Sequence, residues 1–447
     1  STARARQWMV TNELGGRSAA MIAILVIAIV VFFLIGMPIA FAIGAGSTIA
    51  ILWDGTLPIS IVAQRMFFGL DSWLLMAIPL FMLAGQLMAA GGMSSRLVAF
   101  TTELFGFIRG SLGFVCVAAS MTFAGVSGSS TADTAAVGSI LLPLMKERGY
   151  DMRFATALQA AAGSIGPVIP PSLLMILIGF TTNTSVSALF LGGIVPGLLI
   201  GLGLMVVTYV HAARGGPAYL GTQTDVDFRR VVRTGLVAAP ALGMPVIILV
   251  GIVGGIFTTT EAAVVAVVYG LGVGMFVYRE ISLRDLPGII ARSAELATVI
   301  MFIQTTAFLF AWLITVHQVP ALLAKAFVAQ VSGPGTFFLL YIPLLLLVGA
   351  VMESFSATIV LLPIIFPIAQ TLGVNPVHFG VVTTVGWAIG YVTPPFGATL
   401  FVSCSLTGKS IRETTPFILP IVLSMLAVLL LITFFPAVVL WIPDMFQ

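Results

Sequence analysis

The sequence predicts an all-α, polytopic membrane protein folded as an inverted repeat, with about ten crossings, two broken helices and two re-entrant hairpins. Three observations predict it. Uncharged apolar runs are long, a set of motifs occurs twice in the same order, and basic loops change sides between the two copies.

The apolar runs set the class. Of 447 residues, 8% are charged and 59% hydrophobic, and the mean hydropathy is +1.16. A soluble domain carries roughly 25% charged residues. The uncharged runs 72–95, 154–213, 234–260, 296–324 and 354–408 all exceed the about 20 residues that a helix needs to cross a bilayer. Residues 19–37 form too long an apolar stretch for a cleaved signal peptide, and no small-residue cleavage site stands out. The chain opens on Ser1 rather than Met, as expected of a processed chain or a piece of a longer one. The net charge of +3 is spread over loops, so no nucleic-acid partner is expected. Cys116 and Cys404 lie in apolar runs, where neither a disulfide nor a metal site is expected. Three His without a clustered ligand set argue against metalloenzyme chemistry.

The motifs then organise the chain. "LLP" at 141–143 recurs at 361–363, and "GPVIPPS" at 166–172 recurs as "GYVTPPF" at 390–396. The first pair is 220 residues apart and the second 224, a difference of about one helical turn. Asp133 stands ten residues before Pro143, and Glu353 ten before Pro363. Upstream, "GMPIAFAIG" at 36–44 roughly matches "GIFTTTEAA" at 255–263. Three landmarks in order at nearly one offset define a two-fold repeat.

Charge orients the copies. The loop after the first "LLP" helix carries Lys146, Arg148 and Arg153, whereas its counterpart at 369–380 has no Lys or Arg. The loop after the second "PP" segment carries Lys409 and Arg412, whereas its counterpart at 181–187 has none. Basic loops face the cytoplasm, so the halves swap sides. Loops 214–233 and 279–292 fit the same assignment. The tail, with Arg4, Arg6 and Arg17, conflicts with the outside position that odd crossings per half require. An interfacial helix or a missing upstream segment would reconcile the two.

In order, the chain divides into an N-terminal tail (1–18), the scaffold part of repeat 1 (19–107), and the transport part of repeat 1 with the first hairpin (108–186). A scaffold helix and cytoplasmic loop (187–233) follow, then the scaffold part of repeat 2 (234–332). The transport part of repeat 2 with the second hairpin (333–410) and a C-terminal scaffold helix (411–447) complete it. Scaffold pieces fall near 19–37, 36–53, 73–91, 187–211, 234–257, 260–278, 293–316 and 415–441. The amphipathic stretches 94–106 and 319–331 predict helices lying at the interface. Apolar arms that run into a polar turn and back predict hairpins over 110–145 and 335–370. Helices 152–182 and 376–407 are each interrupted at a "PP" motif.

The polar residues inside these runs need a reason. At "GPVIPP", Pro167, Pro170 and Pro171 lack N–H groups, so carbonyls one turn earlier are left unbonded. "GYVTPP" frees carbonyls in the same way. Freed carbonyls with nearby hydroxyls form an oxygen cage suited to Na⁺. The plain alternative is a proline kink with Ser and Thr bonded back to their own helix. Two breaks, each paired with a Gly/Ser-rich hairpin tip at equivalent positions, favour the paired site. Irregular backbone at membrane depth survives only inside protein or against a cavity.

Asp133 and Glu353 sit at matched positions, and intramembrane carboxylates are functional candidates by default. A carboxylate satisfied by free N–H groups at a helix N-terminus is the competing reading, which fits Asp133 equally well. The N–H groups of residues 127–131 would attract a carboxylate substrate, and Gly125 and Gly128 permit close approach. Glu261 reads as structural, within the capping box "TTTE". Gln86, Gln159 and Gln304 read as interhelical glue, and Trp53, Trp73 and Trp441 as interfacial anchors.

"GSSTADTAAVGSILLPLMKERGY", "GPVIPPS", "GGIFTTTEAA" and "GYVTPPFGATLFV" resemble the large membrane subunit, DctM type, of tripartite ATP-independent periplasmic (TRAP) transporters, within the ion-transporter superfamily. The resemblance covers about residues 19–443. It implies a secondary transporter of the elevator type in the bacterial inner membrane, coupled to Na⁺. It also implies a small four-helix membrane subunit as partner, and a periplasmic binding protein that delivers an organic acid such as a dicarboxylate or sialic acid. By position, one Na⁺ site resembles Ser127, Gly166, Ile169 and Pro171, and the other Gly349, Gly390, Thr393 and Phe396. Substrate contacts fall near Ser129, Asp133, Ser172, Glu353 and Ser356. Glu353 departs from the aspartate expected there.

A stand-alone Na⁺/dicarboxylate symporter of the same superfamily shares repeats and hairpins, and is the alternative. A membrane-embedded enzyme is disfavoured because no nucleophile–base pair or metal cluster appears. A channel fits paired hairpins less well than alternating access does. No GxxxxGK[ST] motif is present, so ATP is not expected to drive transport directly.

The inverted topology predicts how single-cysteine variants label in intact cells. Arg148→Cys and Lys409→Cys should react only after permeabilisation, and Asn183→Cys and Asn375→Cys from outside. Labelling of positions 148 and 375 from the same side would refute the orientation.

Overall fold

In the computed structural model, the described residues are 20–216, 219–221, 227–319, 331, 333–394 and 397–446. The tail 1–18, most of the amphipathic stretch 319–331, and Pro395 and Phe396 of the second "PP" motif lie outside them. Among the described residues, the regular structure is helical and no strand occurs. The chain divides into two compact units, and two helices contribute to both.

The first unit draws on Ser1–Ser72, Thr298–Ser332 and Thr358–Leu372. Its helices are α1 (Ala20–Leu34), α2 (Ile39–Asp54) and α3 (Ser60–Phe68). Gly36, at a φ of 84°, and Pro38 make the turn between α1 and α2, a left-handed position that glycine adopts without a Cβ penalty. Met21, Leu25, Ile43 and Ile51 pack with Leu309 and Leu313 of α13 (Leu286–Val316). The Arg65 guanidinium lies 4.6 Å from the centre of the Trp312 ring, which orients a charge at the edge of an apolar unit.

The second unit, Trp73–Ala297, Gly333–Ala357 and Gly373–Gln447, holds every candidate site residue. It opens with α4 (Ala77–Ala90) and α5 (Met93–Phe105), which are bent by 66° at a short break. The left-handed Gly92 makes that corner. α5 is amphipathic, buries Met93, Leu97 and Val98, and ties Arg96 to Glu280 at 2.7 Å.

Next come α6 (Ser111–Ser127) and α7 (Ser130–Glu147), which pack against each other as a hairpin. α8 (Met152–Ser164) and α9 (Leu173–Thr182) form the first interrupted helix. Asp151 caps α8 and pairs with Arg153 at 2.7 Å; that guanidinium holds the Asp151 carboxyl below the usual carboxylate range. The long helices α10 (Val186–Arg214), α11 (Phe228–Val253) and α12 (Thr259–Gly272) follow. α12 begins with the Thr258–Glu261 capping box read from the sequence, and continues into a π-helical turn at Val273–Val277.

The second set has the same order. α14 (Pro334–Gly349) and α15 (Ser354–Thr371) are the two arms read as the second hairpin; α16 (Pro376–Gly390) and α17 (Ala398–Thr407) form the second interrupted helix. α18 (Ile411–Phe434) and α19 (Ala437–Met445) close the chain. Pro143 and Pro363, from the repeated "LLP", both lie inside the second arm of their pair.

Among the described residues, six helices are long and apolar enough to cross a membrane, or seven if α4 and α5 are one span. α1, α2, α6, α9, α14 and α17 are shorter apolar helices. Trp53, Trp73 and Trp441 are 50%, 79% and 63% exposed, as anchors at a lipid–water boundary require.

α8 and α16 are the buried heart of the second unit: Phe154 through Ser164 and Val377 through Gly390 are all buried. Their Ala and Gly content permits this, because small side chains let neighbouring helices approach on every face. The packing is reciprocal. α8 contacts α6, α7 and α17, while α16 contacts α14 and α9, so each half's post-break helix lies on the other half's pre-break helix. Gln159 on α8 donates from Nε2 to the Thr134 carbonyl at 3.2 Å and accepts from Cys116 Sγ at 3.0 Å. It joins three helices, as interhelical glue should.

Two backbones approach closely at Gly390. A Cβ there would stand 2.7 Å from Gly349 Cα, backbone against backbone. Gly390→Ala should therefore destabilise the purified protein by about 1–3 kcal/mol. Gly288→Ala, whose nearest neighbour would be 4.0 Å away, should leave the thermal unfolding temperature near wild type. Equal unfolding temperatures for the two variants would contradict this packing.

Candidate functional site: two helix breaks facing two hairpin tips

The first tip is shaped by backbone conformation. α6 stops because Gly128 takes a left-handed φ of 60° and donates its N–H to the Ala124 carbonyl at 3.1 Å. Ser129 is extended, and α7 starts at Ser130. Glycine is needed at 128 for two reasons: its φ is positive, and a Cβ would stand 2.8 Å from the Pro171 carbonyl oxygen. The tip therefore lies directly on the first break.

Asp133 sits one turn into α7 and is fully buried. The Ser127 hydroxyl donates to Asp133 Oδ1, and the Ser129 N–H donates to Ser127 Oγ at 3.1 Å. The other carboxylate oxygen, Oδ2, has no hydrogen-bond partner among the described residues. It faces Gly166: a Cβ on that glycine would stand 2.5 Å from Oδ2 and 3.2 Å from the Ser130 nitrogen. Asp133 thus does not cap the helix, the competing reading in the sequence.

The break supplies more oxygen. α8 ends at Ser164, and the chain turns through 165–171 before Ser172 caps α9 by accepting the Met175 N–H at 3.1 Å. Among the described residues, no N–H or hydroxyl donates to the carbonyls of Gly166, Pro167, Val168 or Ile169. The prolines explain the first two, since helix continuation would have drawn on the N–H groups that Pro170 and Pro171 lack; the turn through 165–171 takes the other two off the helical path. Ser127, Asp133, Gly166 and Pro171 are brought together here, whereas the Ile169 side chain points to Gly197 of α10.

Beside the tip is a cavity of about 50 Å³ lined by Gln86, Phe123, Ser127, Ser129, Leu173 and Leu296. That volume accommodates a few water-sized groups, not a dicarboxylate.

The second tip is built differently. α14 ends at Gly349, and Glu353 immediately precedes α15. Glu353 Oε2 accepts the N–H groups of Phe355 at 2.8 Å and Ser356 at 3.2 Å. Its Oε1 accepts the Tyr391 hydroxyl at 2.9 Å. Asp133 and Glu353 are matched in sequence but not in environment: Glu353 caps its helix and both oxygens are bonded, whereas Asp133 keeps one oxygen without a protein partner. Ser356 presents its N–H to Glu353, and its side chain is buried.

At the second break the Thr393 hydroxyl bonds back to the Ile389 carbonyl at 2.8 Å, and the Thr393 N–H reaches the Ile389 and Gly390 carbonyls, both at 3.1 Å. No donor among the described residues reaches the carbonyls of Val392, Thr393 or Pro394. Gly349 and Gly390 are in backbone contact, whereas Phe396 lies outside the described residues.

Tyr391 was not singled out by sequence reasoning. Its hydroxyl bonds Glu353 and Ser354, both at the second tip. The signal was available: a tyrosine in an uncharged membrane run needs a partner for its hydroxyl, and Glu353 borders that run.

Comparison with known proteins follows the same lines. Residues 26–438 match the family described as "Tripartite ATP-independent periplasmic transporter, DctM component". The isethionate TRAP transporter permease protein DctMQ of Oleidesulfovibrio alaskensis is 40% identical over 91% of this chain, which spans 64% of that relative's length. The C4-dicarboxylate TRAP transporter large permease protein DctM of Pseudomonas aeruginosa is 39% identical, with 90% of this chain and 94% of the relative covered. The sialic acid TRAP transporter large permease protein SiaM of Vibrio cholerae is 35% identical, with 92% and 96% covered. In fold, the crystal structure of the Alcanivorax borkumensis YdaH transporter matches with a TM-score of 0.60 over 85% of this chain and 88% of that one, at 18% identity. The chain belongs to the DctM component family of the tripartite ATP-independent periplasmic transporters.

Proposed function

We propose that this chain is the large membrane subunit of a Na⁺-driven organic-acid importer in the bacterial inner membrane. A periplasmic binding protein delivers the substrate, a small four-helix subunit completes the membrane complex, and an elevator movement carries the site across. The relatives' names span C4-dicarboxylate, sialic acid and isethionate, all small organic acids that are anionic at neutral pH.

One observation carries the Na⁺ reading. Asp133 Oδ2 is buried without a protein partner and faces a turn whose carbonyls are also unclaimed. An uncompensated carboxylate at membrane depth is costly, and a cation bound among these oxygens removes the cost. Hard oxygen donors suit Na⁺ as cargo. Ser127, Gly166, Ile169 and Pro171 would hold it at the first break, with Asp133 alongside. Gly349, Gly390, Thr393 and Phe396 would form the second set.

Coupling follows from charge. An anionic substrate meeting Ser129, Ser172 and the α7 N-terminus is repelled by a bare Asp133 carboxylate. With that charge neutralised by the cation, the N-terminal dipole and free N–H groups dominate and the anion is held. Glu353 and Ser356, the other substrate contacts expected from sequence, act in this reading by shaping the second tip. The two hairpins and two broken helices form inverted copies within about ten crossings, a reading that the reciprocal packing of α8 with α17 and α16 with α9 supports.

Reconstitution tests the reading. With its small subunit and binding protein in proteoliposomes, the chain should take up substrate on an inward Na⁺ gradient, and K⁺ should not replace Na⁺. Equal uptake without Na⁺ at several pH values would refute it. Omitting the binding protein should abolish accumulation; robust uptake without it would favour the stand-alone symporter.

Substitutions at the tip sharpen the test. Asp133→Asn and Ser129→Ala should each lower apparent affinity for Na⁺ or substrate by roughly 10- to 150-fold, the equivalent of a hydrogen bond to a charged group of about 1.5–3 kcal/mol. Folded complex per vesicle should be unchanged. Normal Na⁺-dependent uptake in both variants would remove this tip from the site.

A further inference from the structure

α4 brings an amide to the first hairpin tip. A Cβ on Gly85 would stand 3.2 Å from Ser127 Cα, so this face of α4 lies against the tip. Gln86, the next residue, lines the cavity of about 50 Å³ together with Ser127 and Ser129, while Phe123 and Leu173 supply apolar wall.

Two polar side chains in that lining have no partner. The Ser127 hydroxyl is engaged by Asp133, and the Ser129 N–H by Ser127 Oγ. Among the described residues, no hydrogen bond reaches the Ser129 hydroxyl or the Gln86 amide. Gln86 therefore bonds to no second helix, unlike Gln159, and is not the interhelical glue expected from the sequence. An amide offers two N–H donors and a hydroxyl offers one. Leaving them unpaired beside apolar walls is unfavourable, and a space of this size holds a small polar group within reach of both. A few convergent polar groups in an apolar pocket are how proteins fix the orientation of a small ligand.

We propose that Gln86 is a substrate-contacting residue, whose amide N–H groups, with the Ser129 hydroxyl, hold one oxyanion head of the organic acid, carboxylate or sulfonate. The inference rests on the organic-acid reading of the first tip, and not on the identity of the coupling ion. Donors match this ligand, because an ionised acid head presents only acceptor oxygens. The cavity takes the head and leaves the body of the acid outside it. The plain alternative is a water bridging Gln86 and Ser129, in which case removing the amide leaves affinity for the acid unchanged.

The experiment uses the purified membrane complex of this chain with its small subunit, in Na⁺. Succinate, sialic acid and isethionate are titrated in turn, and the rise in unfolding temperature reports binding. Working without the binding protein keeps docking out of the measurement. Gln86→Leu keeps the approximate volume and removes the amide; Gln86→Glu keeps the shape and adds a negative charge. For the acid that stabilises wild type, the half-effect concentration is expected to rise about tenfold in Gln86→Leu. It should rise further in Gln86→Glu, where like charges repel. The Na⁺ concentration that gives half of its own stabilising effect should stay near wild type in Gln86→Leu.

An acid curve for Gln86→Leu that overlays wild type, while that of Ser129→Ala is shifted, would overturn the proposal and leave the tip in the site. Overlaying curves for both variants would remove the first tip itself. A shift confined to Na⁺ would also overturn the proposal, by assigning the amide to the cation. If Gln86→Leu does not assemble, Gln86→Glu decides alone, and an unchanged acid curve there overturns it. No stabilisation of wild type by any of the three acids would instead overturn the organic-acid reading, and this proposal with it.

Discussion

The structure of the second unit depends on how backbone polar groups are handled where two buried helices stop. Lipid offers no hydrogen bonds, so a broken helix at membrane depth is tolerated only against protein or a cavity. Here each break is covered by the tip of a hairpin, and glycine makes the fit possible. Gly128 and Gly166 lie between the first tip and first break, and Gly349 and Gly390 meet at the second. A side chain at any of these positions would separate tip from break and leave carbonyls facing hydrocarbon.

That constraint produces two unlike sites from similar parts. At the second tip the carboxylate is consumed internally, because Glu353 accepts two backbone N–H groups and a tyrosine hydroxyl. At the first, the corresponding carboxylate lies one turn into its helix, past the free N–H groups, and the Ser127 hydroxyl engages only one of its oxygens. Glu353 immediately precedes its helix, so its carboxylate reaches forward to the N–H groups of Phe355 and Ser356. Aspartate, placed later, projects sideways to the break. A difference that looks conservative in sequence separates a structural carboxylate from one whose second oxygen has no hydrogen-bond partner among the described residues.

Much of this was legible in the sequence. Uncharged runs, the repeated "LLP" and the two "PP" motifs placed both arm pairs and both interruptions close to where the helices turn and stop. "TTTE" read correctly as a cap, and Gln159 as a link between helices, because each depends on chemistry a few residues wide. The environments of Asp133 and Glu353 were not legible, since they depend on where each helix starts to within a residue, and sequence patterns resolve such boundaries poorly. Tyr391 escaped notice for another reason. Its partners lie 37 and 38 residues away at the second tip, and no local pattern encodes such a meeting.

In the Na⁺-coupled reading proposed above, the asymmetry also gives direction to coupling. A site with two equally unsatisfied carboxylates would repel an anion from both sides and would bind cations without regard to order. With Glu353 tied into its own helix cap, the unfilled charge is concentrated at Asp133. The cation demand and the anion-attracting N–H groups of the α7 start then lie within one turn of each other. In the proposed reading, a cation at the first would offset the Asp133 charge felt at the second over a few ångströms, inside the range where charges in a low-dielectric setting interact strongly. If Na⁺ binds there as proposed, organic acid and Na⁺ would each strengthen the other's binding, which is the thermodynamic condition for symport. It follows from where two carboxylates fall relative to two helix starts.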